Sequence, residues 1–299
     1  MIIVKIKGGL GNQLFQYATA RRISIDKQVP IKVDTSFFKE ERFNGIFHLT
    51  YYNTIIDEAK SQEIELLTAE PSVSFYGKIC RRFHIPGKYH RKTHIIENSS
   101  SVVDKRIINC DGNAYIEGWY QNEAYFKGIR DILLKEFDFK NNVISEIQDS
   151  KDENNNGESV SIHFRRGDYL TNKFFGEVHL DYYIRAVNYI KEKVEHPIFY
   201  IFSDDIHWVK NNFRIEGSVH YLDPQRASIY HTENDFRDLV AMKKCKHNII
   251  ANSSFSWWAA WLNTNQYKIV IAPRKWYNDT NAQKNYEKGR LKVSDWIYI

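Results

Sequence analysis

Short apolar runs alternate with amphipathic stretches along most of this chain, and their spacing predicts an α/β fold. Residues 2–6 are rich in β-branched side chains and run into a turn at Gly8, Gly9 and Gly11. Leu14, Ala18 and Ile25 then recur at helical spacing, and residues 31–34 read as a second strand, so the chain opens as a βαβ unit. Further on, residues 115–120 read as a strand and 122–137 as one amphipathic helix. Residues 149–158 (DSKDENNNGE) carry no apolar side chain and cannot bury anything, which makes them a linker. The expected domains are therefore 1–150 and 157–299. After the linker, strands are expected at 159–164, 197–202, 247–251 and 268–271. Helices at 181–194, 205–213, 235–244 and 255–262 fall between them. Such alternation predicts parallel sheets covered on both faces, with ligands bound in loops beyond the strands' carboxyl ends.

Composition narrows the function classes. The apolar share of 42% and charged share of 26% are those of an ordinary globular protein, and 299 residues suit two domains. The net charge of +5 and pI near 8.8 fall short of a dedicated nucleic-acid binder and suit an anionic small ligand or an acidic membrane surface. Cys80, Cys110 and Cys245 lack the spacing of a zinc or redox motif and read as reduced thiols. The start of the chain lacks the pattern of a signal peptide, and no apolar run approaches the ~20 residues that cross a bilayer, so a cytoplasmic protein is expected. Residues 76–94 hold Lys78, Arg81, Arg82, Lys88, Arg91 and Lys92 with no acidic residue. They read as a solvated basic loop or, more sharply, as a contact with the inner membrane face or a lipid-linked acceptor.

Four segments carry candidate chemistry, each at a strand end. In Gly8-Gly9-Leu10-Gly11-Asn12-Gln13 the glycines permit a tight turn, and a helix N-terminus offers N–H groups to an anion. The segment lacks the ending of a P-loop, and a purely structural turn with Asn12 as helix cap is the plain alternative. In His163-Phe164-Arg165-Arg166-Gly167-Asp168-Tyr169, adjacent arginines need partners. Their planar forks suit phosphate, while an Arg–Asp cluster joining the domains is the alternative. The expectation is that one arginine faces phosphate and Asp168 holds the other. Phe202-Ser203-Asp204-Asp205 invites a metal reading, but its aspartates are adjacent; Asp204 suits two N–H donors of guanine and Asp205 a helix cap. In Asn252-Ser253-Ser254-Phe255-Ser256-Trp257-Trp258, the hydroxyls and helix N–H groups suit a phosphate, and the same serines suit simple capping.

Taken together and in this order, these segments, with Leu14-Phe15-Gln16-Tyr17 and Leu180-Asp181-Tyr182-Tyr183, resemble the α-1,2-fucosyltransferases of glycosyltransferase family 11, mainly its bacterial members. The resemblance implies a GT-B arrangement, two Rossmann-like domains with the donor GDP-fucose held mainly by the second. It also implies inversion at the anomeric carbon, no metal or cofactor, and a galactose-containing glycan acceptor in polysaccharide assembly. It carries donor contacts onto Gly9, Gly11, Asn12, Gln13, His163, Arg165, Asp204, Asn252, Ser254 and Ser256. Arg165 would stabilise the leaving diphosphate, with Arg166 and Asp168 completing its network. Asp168, Glu177 and Asp181 are the candidates for the acceptor's base, with Asp181 also suited to cap its helix. Residues 40–115 match no named segment, and acceptor preference is expected there. Another linkage, another nucleotide sugar, and a non-catalytic nucleotide-sugar binder are the competing readings.

Overall fold

A computed structural model describes residues 1–40, 45–68, 92–98, 100–140, 157–222 and 231–299. It divides into two compact units, Met1–Lys140 and Asn141–Ile299. The expected linker lies outside the described residues except for Gly157 and Glu158, and Glu158 already belongs to a strand. Residues 76–91 of the basic segment also lie outside them.

In the first unit β1 (Ile2–Lys5) leads into α1 (Leu10–Lys27) and β2 (Ile31–Asp34). There follow α2 (Ser61–Thr68), β3 (His94–Ile96), α3 (Lys105–Ile108), β4 (Ala114–Glu117) and α4 (Arg130–Glu136). The strands form one parallel sheet in the order β2-β1-β4-β3. Ile2, Ile3 and Val4 are all fully buried, so both faces of the central strand are covered. The single helix expected over 122–137 is instead two 3-10 turns, Glu123–Tyr125 and Lys127–Ile129, followed by α4. Phe126, between them, leaves helical geometry (φ −144°, ψ −4°) and lies 5.8 Å from Phe15. The apolar spacing reported burial here, and the path that achieves it is not one helix.

The second unit continues with β5 (Glu158–Phe164), α5 (Leu180–Lys193), β6 (Pro197–Ser203), α6 (Ile206–Asn212) and β7 (Ser218–Tyr221). It ends with α7 (His231–Lys244), β8 (His247–Ile249), α8 (Ser254–Leu262), β9 (Val270–Ala272), α9 (Thr280–Glu287) and β10 (Ile297–Tyr298). Its parallel sheet runs β7-β6-β5-β8-β9-β10, the doubly wound order. Val160, Ile162 and Phe164 pack into a core with Tyr182, Tyr183, Val187 and Ile190 of α5. Alternate residues of β5, Ser159, Ser161 and His163, are buried as well. α8 is enclosed by its own Trp257, Trp258 and Trp261, each almost wholly buried. Cys110 and Cys245 are buried thiols outside any disulfide, and burial pushes the Cys245 thiol up to about 12.

Candidate active site

In a doubly wound sheet the ligand crevice lies where strand order reverses, beyond the carboxyl ends of the two strands that flank the reversal. In the second unit those strands are β5 and β8, so the loops after Phe164 and after Ile249 define the place. The first carries the arginine pair and the second carries Asn252, Ser253 and Ser254.

Extended structure stops at Phe164, and Gly167–Leu170 coils into a 3-10 turn. Arg165 Nη2 donates to Asp168 Oδ1 at 2.7 Å, and its Nη1 lies 3.2 Å from Asp204 Oδ2. Burial works against its charge, but the Asp204 and Asp168 carboxylates raise its pKa. Its side chain stays 37% exposed, so one face of the guanidinium remains open to a ligand. Arg166 is different. It is buried, with its guanidinium carbon 3.2 Å from the centre of the Trp208 ring, and it pairs with Glu177 and, at 3.3 Å, with Asp205. Its backbone N–H donates to Asp204 Oδ1 at 2.9 Å. A Cβ on Gly167 would stand 2.8 Å from Asp204 Oδ2, so only glycine lets the turn approach that carboxylate.

Three expectations for this cluster are corrected. Asp168 holds Arg165, the outward arginine, whereas Arg166 is held by Glu177 and Asp205. Asp204 has one oxygen on the Arg166 N–H and the other beside Arg165, so it organises the arginine turn and is not open to guanine in this state. Asp181 does not cap α5: it is the helix's second residue, exposed and paired with Arg185, and His179 precedes the first turn. The cap expected of Asp205 is present, its Oδ1 accepting from Trp208 N at 3.2 Å.

At the neighbouring loop Ser253 caps α8, accepting from Phe255 N at 3.3 Å. Ser254 is partly exposed in the first turn. Ser256 is not a surface seat: it is fully buried and its hydroxyl turns back to Ser253 O. Asn252 is 2% exposed, with Nδ2 donating to Gly176 O and Trp276 O. His163 is 6% exposed; burial and then the Arg165 charge lower its pKa to about 3, so the ring is neutral. Its Nδ1 is buried without a partner, and the ring sits 5.7 Å from Phe255.

In the first unit strand order reverses between β1 and β4, and the glycine turn follows β1. Gly8 has φ +78°, which explains a glycine there, and Gly9 is exposed with open space around its Cα. Asn12 does not cap α1; it lies within the helix, and Gly9 precedes it. Asn12 is half-buried; its Oδ1 accepts from Gln121 Nε2 at 3.0 Å, and its Nδ2 lies on the side of the Gly8 turn. Gln13 departs from the expected ligand role. It is fully buried, donates to Gly8 O and Ile46 O, and accepts from His48 N. Gly11 is buried within α1.

Sequence reasoning missed Trp208, Gln121 and the aromatic stack of Tyr169 on Phe175 (4.8 Å, 9°). Trp208 was accessible in principle, since it stands three residues after the capping Asp205 and so returns to the helix's first turn. Among the described residues no group of three His, Cys, Asp or Glu side chains could hold a metal ion, and no helix is long and apolar enough to cross a membrane.

Two parallel Rossmann-type sheets, the second carrying a cationic turn at its switch point, give the chain the GT-B type of fold. The chain belongs to glycosyl transferase family 11, whose family model matches residues 1–299. It is 30% identical to the O-antigen biosynthesis glycosyltransferase WbnK of Escherichia coli, over 98% of this chain and 99% of that one. Alpha-1,2-colitosyltransferase of Escherichia coli is also 30% identical, over 93% and 92%. The human galactoside alpha-(1,2)-fucosyltransferase 1 is 26% identical over 49% of this chain and 42% of its own. The fold is shared with the fucosyltransferase NodZ from Bradyrhizobium (TM-score 0.51, 11% identity, 86% of this chain and 92% of that chain). It is shared as well with a variant of Arabidopsis thaliana FUT1 in complex with GDP (TM-score 0.53, 11% identity, 91% and 70%).

Proposed function

We propose that this enzyme transfers L-fucose from GDP-fucose, with inversion and without a metal, to the 2-hydroxyl of a galactose residue in a bacterial surface glycan. The observation that carries the reading is the Arg165 guanidinium, charged, partly exposed and pre-aligned beside the serine-capped turn of α8. A leaving diphosphate develops negative charge as the glycosidic bond breaks, and a fixed cation there lowers the barrier. NodZ, which shares the fold, was soaked with GDP-fucose. Ser254, His163 and Asn252 form the donor contacts of the second unit, supported from beneath by Arg166 and Ser256. Asn12 and Gly9 belong to the glycine turn of the first unit, which Gln13 supports from beneath.

When Arg165 turns to the diphosphate it releases Asp168, the more exposed of its two carboxylates (59%). That makes Asp168 our assignment for the acceptor's proton: the acceptor oxygen forms its bond to the anomeric carbon, the bond to phosphate breaks, and GDP departs. Glu177 stays with Arg166. A guanine contact by Asp204 would require the same release.

A second reading, favoured by the match to alpha-1,2-colitosyltransferase, is transfer of colitose in the same linkage. Incubation with GDP-fucose and a panel of galactosides, with product linkage read by NMR, tests the proposal. Product α-linked at O2 of galactose is expected. No product, or linkage at another oxygen, would overturn it.

A further inference from the structure

The carboxyl ends of β1 and β4 flank the reversal of strand order in the first sheet, so a ligand of this unit would meet the residues that follow them. The Gly8 turn follows β1, and Gly118-Trp119-Tyr120 follows β4. Trp119 is 40% exposed there, although Gly118 and Tyr120 on either side of it are buried.

Several features hold the indole out. Tyr120 takes φ +48°, a conformation that a bulky side chain adopts only under strain. Its own ring is fully buried. Glu97 clamps the bend, Oε2 accepting from Trp119 N at 2.7 Å and from Tyr120 N at 3.0 Å. A Cβ on Gly118 would stand 2.5 Å from the Glu97 Cβ, so a larger residue would displace the clamp. Strain persists only where the surroundings over-determine it, and it clusters at ligand sites.

The surroundings of the indole define the ligand's chemistry. Its edge lies 3.3 Å from the place a Gly8 Cβ would take, and Asn12 Nδ2 lies 3.0 Å from the same place, so indole and amide border one turn. Asn12 Oδ1 accepts in turn from Gln121 Nε2. Lys7 Nζ lies over the indole, 4.8 Å from the ring centre. Lys5 and Lys7 both pair with Glu117, and Glu97 stands behind the backbone, so two cations face two carboxylates. An apolar ring, amides and balanced charge suit an uncharged ligand with one apolar face and hydroxyls on its rim. Galactopyranose is such a ligand, because its C–H bonds at C3, C4 and C5 lie towards one face.

We propose that Trp119 is a stacking platform for a neutral pyranose of the acceptor, an inference that rests on the transfer reaction proposed above. The sugar's apolar face lies on the indole, and its rim hydroxyls reach the Asn12–Gln121 amides. Trp119 thereby selects the acceptor and takes no part in bond making.

Saturation-transfer NMR on the full chain tests this, with methyl β-galactoside as probe, both with and without GDP. Saturation should concentrate on H3, H4 and H5 of the sugar, a pattern read from the parent protein without any variant. Trp119→Phe keeps a ring and should retain most of the binding. Trp119→Ala should weaken it about tenfold or more, as removal of one stacking aromatic does. Both variants should keep the parent's melting point and, by calorimetry, its affinity for GDP. A galactoside left unsaturated, or saturated evenly over its protons, would overturn the proposal, as would equal binding to Trp119→Ala. Loss of GDP affinity in place of galactoside affinity would overturn it too, since the platform would then serve the nucleotide. The transfer reading fails by a different result: a parent that stacks the galactoside yet forms no product from GDP-fucose keeps the platform and loses the reaction.

Discussion

Arg165 and two of the buried histidines, His163 and His48, respond to opposite features of their surroundings. Two carboxylates keep Arg165 charged at the mouth of its crevice, and Arg165→Ala should lower transfer by about 10²–10³-fold, or ~3–4 kcal/mol of barrier, with the thermal midpoint little changed. Steady-state kinetics beside a melting curve separate the two effects; a variant retaining most of its activity would remove the diphosphate role. His163 and His48 are held neutral instead, their pKa values lowered to about 3 and about 4, chiefly by burial. In the unfolded chain both take up protons near pH 6.5. Between pH 6.5 and 4 the unfolded state therefore binds more protons, and stability falls as pH falls, by up to about 1.4 kcal/mol per pH unit for each histidine. Urea midpoints at pH 7.5 and 5.0 should show that loss, and His163→Gln should flatten the slope; equal midpoints in the parent would refute the burial argument. Arg165 was legible because it needed only a strand end and a charge. Arg166 was not, since its partners Glu177, Asp205 and Trp208 stand 11, 39 and 42 positions away along the chain.

At the scale of elements, the glycine turn shows how a side chain read as ligand-facing serves as scaffold. Gln13 ties the turn before α1 to the segment around Ile46 and His48 through three backbone partners. Gln13→Ala would strip buried groups of their bonds and should destabilise by about 2–4 kcal/mol, read from urea unfolding. A change under ~0.5 kcal/mol would mean that the turn holds without it. The regular strands and helices after residue 157 were legible because each buries an apolar stretch of the proper period. α9, β7 and β10 were not: α9 is mostly polar and buries only Asn285 and Tyr286, β7 has no fully buried residue and β10 spans two residues, so none leaves an apolar run to read.

For the molecule as a whole, parallel pairing could be anticipated, but the strand order could not, because it depends on contacts between distant segments. That order is what brings the arginine turn and the serine turn to one switch point. A net charge of +5 and a cationic crevice predict that GDP binds more weakly as salt rises; calorimetry at 50 and 300 mM salt, about one Debye regime apart, should show it. Salt-independent affinity would argue against arginine as the main phosphate contact. With guanidinium as the diphosphate's counter-charge, transfer should also persist in EDTA, and a strict divalent requirement would refute that assignment.

The tryptophans of this chain are very unequally shared. Of the seven, Trp119 alone lies in the first unit, and it is 40% exposed; Trp208, Trp257, Trp258, Trp261, Trp276 and Trp296 are in the second. Intrinsic fluorescence is therefore weighted toward the second unit, while the first is reported by Trp119 alone, whose ring stands against the Gly8 turn. A titration followed by emission would read acid loosening at His163 through several tryptophans and at His48 through Trp119 alone, whereas circular dichroism would weigh both alike.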